Sequence, residues 1–345
     1  MMNSECLGGF SVSQATVDRK IDSLPYDLLI TTVSWEERAN HALFVLEGAP
    51  KATAFFRFES TSDRTSSLKD VVETELLGLF PSAERLNLLP STETKKNFEQ
   101  IQKFLSGKRQ DARRPLRIAV NMSCLPKAYL LFLLGVFFKS DIAMEADFLY
   151  SPGVYDLLVD NLVEGPSAPG PRGLLSIGEW KSQQLPFFTG QQVFASEQDL
   201  IVTVGGELGM MVPFLERSEP RNIFLLFIAE SAPRPDRPMH KLERLAYDDL
   251  MMEPNVSTKE VDLVDAIGVA KYALSAAEQS SSVNLVGVAI GSKSHALGLG
   301  IAALVHEELE IICRVPAGYA PLNVAPRGDC LIYRVADRFE PLRYL

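Results

Sequence analysis

Four short stretches of small, polar and charged residues each follow an apolar run, and these are the places where the chain could bind or transform a ligand. Backbone amides at the start of a helix bind phosphate or carboxylate, and a neighbouring lysine adds a full positive charge. The residue types therefore predict a site for an anionic small molecule, a nucleotide above all. The candidate ligand-binding residues are Ser34, Glu36, Arg38, Asn121, Ser123, Lys127, Gly205, Gly206, Glu207, Gly291, Ser292, Lys293 and His295.

The same stretches contain the candidates for catalysis. His295 falls at a predicted turn, and with a carboxylate such as Glu36 or Glu207 it can supply general-base chemistry. Structural roles account for these residues equally well, since Ser34 and Glu37 have the spacing of a helix capping box. The sequence leaves a catalytic role open.

Common nucleotide and metal motifs do not occur in these stretches. Gly205-Gly206 lacks the GxGxxG spacing of a dinucleotide site, and residues 291–295, GSKSH, lack the GxxxxGK[ST] pattern of a phosphate loop. No Asp/His cluster accompanies the carboxylates, and the four cysteines have no CxxC spacing. We therefore predict neither a metal site nor a cofactor, and we interpret the cysteines as reduced thiols.

Alternating strands and helices must position these residues. Residues 1–25 are expected to be irregular. The alternation of apolar runs with amphipathic stretches predicts a parallel, doubly wound sheet with right-handed crossovers. The strands are predicted at 27–33, 52–59, 86–90, 117–120, 143–150, 199–204, 222–229, 284–290, 309–315 and 329–335, and the helices at 34–47, 66–80, 92–105, 128–138, 239–252, 259–279 and 296–304.

The second half of the chain repeats the plan of the first. Residues 199–231 match 27–60 element by element, and 284–308 fall opposite 117–138. A repeat of about 170 residues is far longer than a solenoid repeat, so it indicates two domains.

The predicted fold is α/β, with two homologous Rossmann-like parallel-sheet domains that arose by internal duplication and are related by a pseudo-twofold axis. The domains are residues 1–160 and 196–345, joined by a Pro/Gly-rich linker and crossover at 161–195. The four turns are then expected to converge on one inter-domain seam.

The composition of the chain argues against two kinds of partner, nucleic acids and membranes. A formal charge of −10 and an isoelectric point near 5.1 argue against nucleic-acid binding driven by net charge. The most apolar run, 128–138, is too short for a bilayer and is expected to be a core helix. The N-terminus shows no secretory signal, so a cytoplasmic protein without membrane contact is expected.

The plan resembles that of a known sensor family. Its serine-rich turn after the first strand and its GxK-type turn (291–293) after the fourth resemble those of the CARF and SAVED sensors of prokaryotic defence systems. The chain also resembles uncharacterised prokaryotic tandem proteins that have an SxExR-like first turn and a GSKxHALG-like later turn, as at 34–38 and 291–298 here. The resemblance implies Rossmann-like domains that bind cyclic oligonucleotides across a twofold seam. Such sensors usually carry an attached effector, so the resemblance implies here either a separate effector protein or chemistry performed by the turns themselves.

The expected function is a nucleotide-sensing or regulatory protein of an antiviral defence operon, with a phosphate-bearing ligand such as a cyclic oligonucleotide at the inter-domain seam. Two alternatives stay open. One is an enzyme that acts on a nucleotide or nucleic-acid phosphoester. The other is a structural subunit of a multi-protein defence complex.

Overall fold

The chain divides into two compact units. The first consists of Met1–Val154 and Pro321–Leu345, and the second of Tyr155–Ala320. The computed structural model describes residues 2–17, 21–22, 26–60, 63–154, 176–190, 197–205, 212–229, 244–245, 247–280, 284–319 and 323–337.

The N-terminal part of the first unit alternates strands with helices from residue 28 onward. Its strands are β1 Met2–Leu7, β2 Phe10–Val17, β3 Ile21–Asp22, β4 Leu28–Thr32, β5 Leu46–Glu47, β6 Thr53–Phe58, β7 Glu84–Leu88, β8 Leu116–Asn121 and β9 Ala143–Tyr150. Its helices are α1 Arg38–His41, α2 Asp63–Leu79, α3 Thr94–Ala112 and α4 Lys127–Lys139, with a 3₁₀ turn at Ala42–Val45.

The rest of the chain begins with the second unit. Its strands are β10 Ser176–Gln184, β11 Gln198–Thr203, β12 Asn222–Ile228, β13 Val256–Val261, β14 Asn284–Ala289 and β15 Leu309–Tyr319. Its helices are α5 Val212–Arg217, α6 Asp248–Met251, α7 Ala266–Gln279 and α8 Lys293–Val305. The last strand, β16 Cys330–Asp337, returns to the first unit.

The larger sheet of the first unit has the strand order β1-β2-β16-β9-β8-β4-β6-β7, and β3 and β5 form a separate two-stranded sheet. The five strands from β9 to β7 are parallel, and counted along the chain from β4 they lie in the order 3-2-1-4-5. Strand β16 pairs antiparallel with β9 on one side and with β2 on the other.

The sheet of the second unit has the strand order β10-β15-β14-β11-β12-β13. Its five strands from β15 to β13 are parallel and again lie in the order 3-2-1-4-5, counted from β11. Strand β10 pairs antiparallel with β15. The α/β class and the mainly parallel sheets expected from the sequence are therefore confirmed.

Continuous apolar runs form the central strands, because a parallel sheet between two layers of helices buries both of its faces. Every residue of β4 is buried, as are five of the six residues of β14. Helix α4 is buried from Ala128 to Phe137, which confirms the expected core helix. No helix in the described part of the chain has the length and hydropathy needed to cross a bilayer.

The N-terminal prediction was wrong in one respect. Residues 2–17 form the β1–β2 hairpin, in which Leu7 pairs with Phe10 across Gly8-Gly9. Gly8 has a φ of 56°, the left-handed conformation that two-residue hairpin turns require and that glycine adopts without strain. The Gly-Gly pair followed by alternating Phe10 and Val12 was the available signal.

The other differences concern strands that face solvent on one side or pair across a long sequence distance. Residues 256–261, VSTKEV, form the largely exposed strand β13, so the helix predicted at 259–279 begins only at Ala266. The expected linker at 161–195 includes strand β10. The strand predicted at 329–335 in the C-terminal domain is β16, which belongs to the first unit. Six residues of the helix predicted at 239–252, namely 239–243 and 246, lie outside the described residues. Within the described part, Asp248–Met251 form α6.

Candidate functional site

Each unit has one topological switch point. The first and fourth parallel strands are neighbours, β4 beside β8 and β11 beside β14, and the chain leaves them toward opposite edges of the sheet. In open α/β sheets, ligands bind outside the carboxyl ends of the strands at such a point. The described site residues that were predicted from the sequence end or follow one of these four strands, so the topology places them in two groups, one in each unit.

The turn after β4 is built around a buried ion pair. Arg38 is 2% exposed, and its Nε donates to Oε2 of Glu36 at 2.6 Å. The Arg38 amide donates to the carbonyl of Val324 at 3.3 Å. Burial raises the pKa of the Tyr150 phenol, an effect that the neighbouring Arg38 guanidinium opposes. These contacts hold Glu36 and Arg38 in place at the end of the sheet.

The predicted capping box is absent. Helix α1 is four residues long, and Glu37 is its N-cap without a side-chain cap bond. The Glu37 amide donates instead to Oδ1 of Asn323 at 2.8 Å. Ser34 Oγ accepts from the Glu36 amide at 3.5 Å, outside the helix. The contacts to 323 and 324 come from the far end of the chain, which local sequence spacing does not show.

The turn after β8 is held by Asn121. Its Nδ2 donates to Oγ1 of Thr31 at 3.1 Å and to the carbonyl of Ala39 at 2.5 Å, and its Oδ1 accepts from the Ser123 amide at 3.2 Å. Ser123 Oγ in turn accepts from the Ser151 amide at 3.0 Å. Asn121 therefore ties the ends of the first and fourth strands to α1.

Lys127 lies at the start of the helix that follows. It is the first residue of α4, after the N-cap Pro126, which makes no side-chain cap bond. Lys127 is partly buried. A helix that begins with a lysine and without an acidic first turn has a positive N-terminal end.

In the second unit, glycine and threonine shape the switch point. Gly205 has a φ of 154°, a conformation that residues with a Cβ rarely adopt, so this turn favours glycine. Oγ1 of Thr203 accepts from the Ile290 amide at 3.3 Å and the Gly291 amide at 3.2 Å. The other two predicted residues of this turn, 206 and 207 (Gly206 and Glu207), lie outside the described residues.

The helix after β14 has a well-formed cap. Ser292 is the N-cap of α8, and its Oγ accepts from the His295 amide at 3.0 Å and donates to the carbonyl of Leu263 at 2.8 Å. His295 is fully buried, and Nε2 lies 2.8 Å from the Asp262 carbonyl, to which it must donate because a carbonyl only accepts. His295 therefore fastens α8 to the loop after β13. Lys293 is partly buried and is the first residue of α8.

Lys127 and Lys293 occupy the same place in their own sheets, each at the start of the helix after the fourth parallel strand. They lie in different units. The shared inter-domain seam stays a prediction.

A buried lysine beside the switch point of the first unit was missed from the sequence. Lys69 of α2 is 5% exposed. Its Nζ donates to the carbonyl of Phe58, the last residue of β6, at 2.7 Å, and it lies 5.6 Å from the centre of the Trp35 ring. Trp35 belongs to the turn after β4. We call Lys69, the Trp35 ring and the Phe58 carbonyl the Lys69 site.

The nearby ion pairs leave Lys69 without an anion. Arg57 contacts Asp70 at 2.7 Å and Glu73 at 2.6 Å, and Arg85 also contacts Glu73. Among the residues that the structure describes, no carboxylate forms an ion pair with Lys69. Burial, with a contribution from the Arg57 charge, lowers the pKa of Lys69 to about 8.

A second cluster missed from the sequence joins α1 to β9 and β16. His41 Nδ1 lies 3.0 Å from Oγ of Ser151 and 3.3 Å from Sγ of Cys330. Ser151 and Cys330 are both buried, and burial with the charge of Asp329 raises the pKa of the Cys330 thiol to about 11. A thiol with a raised pKa is a poor nucleophile at neutral pH, so the cluster is best explained as packing.

Comparison with known proteins does not assign the chain to a family. No family model and no curated protein matches the chain. One solved structure, described as the adenylation, ketoreductase and pseudo Asub multidomain structure of a keto acid-selecting NRPS module, matches 86% of this chain and 31% of its own chain, with 12% identity and a TM-score of 0.22. The chain therefore spans about a third of the length of that protein. A similarity this low supports no statement about function.

Proposed function

We propose that this chain is a nucleotide-sensing or regulatory protein whose switch points bind a phosphate-bearing ligand. One observation carries the proposal: both sheets have a helix that begins with a lysine immediately after the fourth parallel strand, Lys127 on α4 and Lys293 on α8. A helix N-terminus with a lysine beside it favours phosphate through its backbone amides and its charge.

The two units are, in this proposal, Rossmann-like domains produced by internal duplication. The support is their common 3-2-1-4-5 order and the antiparallel strand that lies beside the fifth parallel strand in each, β16 beside β9 and β10 beside β15. The resemblance of the serine-rich turn after the first strand and the GxK-type turn at 291–293 to those of CARF and SAVED sensors makes cyclic oligonucleotides the first ligands to test, and a separate defence effector the first partner.

The contacts of the candidate acid and base groups favour binding over catalysis. His295 is fully buried with Nε2 engaged to a carbonyl, and Glu36 is paired with Arg38. A general base must reach the proton that it removes. The His295 ring is buried, and the half-buried Glu36 carboxylate is already engaged by Arg38. Incubation of the chain with nucleotides, followed by chromatography, should therefore return them intact.

Titration calorimetry with a panel of cyclic and linear nucleotides tests the binding. At least one should bind, and Lys127→Met or Lys293→Met should weaken it by about tenfold to a hundredfold, since each removes one charge-assisted contact of about 1.5–3 kcal/mol. Lys139→Met, at the other end of α4, and Lys259→Met, on the exposed strand β13, are the matched controls. Absence of binding by every nucleotide, or equal binding by all four variants, contradicts the proposal.

A further inference from the structure

We propose that the Lys69 site is an anion-binding subsite of the first unit, which takes the phosphate group of an incoming ligand. The inference rests on the proposed function in identifying the anion as phosphate. The site itself rests on a separate observation, which is a buried cation that lacks a carboxylate partner among the described residues.

The hydrogen bonding of Lys69 leaves donors for a ligand. A lysine ammonium has three N–H donors, and the Phe58 carbonyl accepts one of them at 2.7 Å. Lys69 makes no further hydrogen bond with the residues that the structure describes. Two donors therefore remain for an acceptor such as a phosphate oxygen.

The local charge also favours an anion. Lys69, Arg57 and Arg85 supply three positive charges, and Asp70 and Glu73 supply two negative ones. Both carboxylates are already engaged by the arginines, which leaves the positive charge of Lys69 uncompensated. A buried charge without a partner is costly, and an entering anion would relieve that cost.

The Lys69 site lies where a ligand of the switch point would bind. Phe58 is the last residue of β6, and Trp35 comes three residues after the end of β4, so both belong to the carboxyl edge where α/β ligands bind. The ring of Trp35 is partly exposed and lies over the buried ammonium. An anion that reaches Lys69 must displace this ring or pass beside it, and Trp35 therefore reports on binding.

The fluorescence of Trp35 provides the test. The chain has two tryptophans, so Trp180→Phe leaves Trp35 as the single tryptophan, which is excited at a wavelength beyond the absorption of the tyrosines. Titration of this full-length variant with inorganic phosphate, against sodium chloride at equal ionic strength, should give a saturable change in emission. Lys69→Met in the same background should weaken the response by about tenfold or abolish it. Lys103→Met, an exposed lysine of α3, should leave it unchanged.

A second measurement covers the case in which Lys69→Met fails to fold. In the unsubstituted chain with isotope-labelled lysine, the pKa of the Lys69 ammonium should rise when phosphate is added, because an adjacent anion stabilises the charged form. No saturable response of Trp35 and no rise in this pKa would overturn the proposal. An equal response with chloride would overturn it too, as ionic strength alone would then explain the change.

Nucleotides separate this inference from the proposed function. If AMP binds and Lys69→Met leaves its affinity unchanged, the Lys69 site is wrong and the proposed function stands. If phosphate acts through Lys69 but no nucleotide binds more tightly than phosphate alone, the subsite stands and the nucleotide function is wrong.

Discussion

Asn121 is the residue that most directly holds the switch point of the first unit together. It is 2% exposed and bonds to Thr31, Ala39 and Ser123. Asn121→Ala should lower the free energy of unfolding by about 2–3 kcal/mol, because it leaves buried polar partners unsatisfied. Urea denaturation measures this. Asn87→Ala, at an exposed position of β7, should change stability by less than about 0.5 kcal/mol, and a similar loss in both variants would contradict the assignment.

Lys69 should lower stability in a way that depends on pH. Its pKa falls from 10.5 in the unfolded chain to about 8 in the folded protein, so between these values the unfolded state binds more protons. Stability relative to Lys69→Met should therefore rise as the pH increases from 8 to 10.5, by a total on the order of 3 kcal/mol.

Urea denaturation of wild type and Lys69→Met at a series of pH values checks this. At pH 7 the methionine variant should be at least as stable as the wild type, because it buries no charge. Lys103→Met should run parallel to the wild type across the range. A constant difference between wild type and Lys69→Met from pH 7 to 10.5 would show that Lys69 is not desolvated.

The packing of α7 on α8 depends on a glycine. A Cβ on Gly298 would lie 2.5 Å from the carbonyl of Ala266 and 2.7 Å from Cβ of Val269. Gly298→Ala should therefore destabilise the second unit by about 1–3 kcal/mol through overpacking. Gly107→Ala, in α3 of the first unit with nothing within 4 Å of the new methyl group, should instead stabilise by about 0.5–1 kcal/mol. Thermal unfolding of both variants measures the two changes in stability. A change of the same sign in both would refute the packing argument.

The elements with continuous apolar runs could be predicted from the sequence. β4, β8, β14 and α4 are buried along nearly their whole length, so their hydropathy alone indicates them. Strand β13 could not, because an edge strand with mostly exposed residues has no such pattern. The positions of the strands and helices relative to one another depend on contacts between residues far apart in the sequence. Hydrophobic periodicity does not reveal such contacts.

The turns of the candidate site could be predicted from the sequence, but Lys69 was not predicted. The turns after the first and fourth strands follow from the alternation of elements, which places them at one edge of a sheet. Lys69 was missed because it lies on a helix, where a lysine is usually solvated. The available signal was its spacing from Thr65, Glu73 and Leu76, which places polar residues on the buried face of α2.

At the scale of the whole molecule, the first unit is assembled from both ends of the chain. Strand β16 lies between β9 and β2, and Arg334 on β16 binds Asp147 on β9 through Nε at 2.7 Å and Nη2 at 2.8 Å. Asp147 is fully buried and also accepts from the Tyr26 hydroxyl at 2.6 Å. The second unit is thus inserted in sequence between two parts of the first.

Truncation should reveal this arrangement. A chain that ends at Ala320 loses β16, which leaves Asp147 buried without its arginine and β2 without a neighbour on one side. Loss of one partner from a buried ion pair costs about 3–5 kcal/mol. The missing backbone pairing adds to this cost, and together they approach the whole stability of a typical domain.

The first unit should therefore lose protection against amide hydrogen exchange in β2, β8 and β9. A chain that ends at Asp337 retains β16 and should keep that protection. The second unit, whose sheet contains no strand after β15, should exchange equally slowly in both truncated chains. Equal protection of β9 in the two chains would show that the first unit folds without its C-terminal strand.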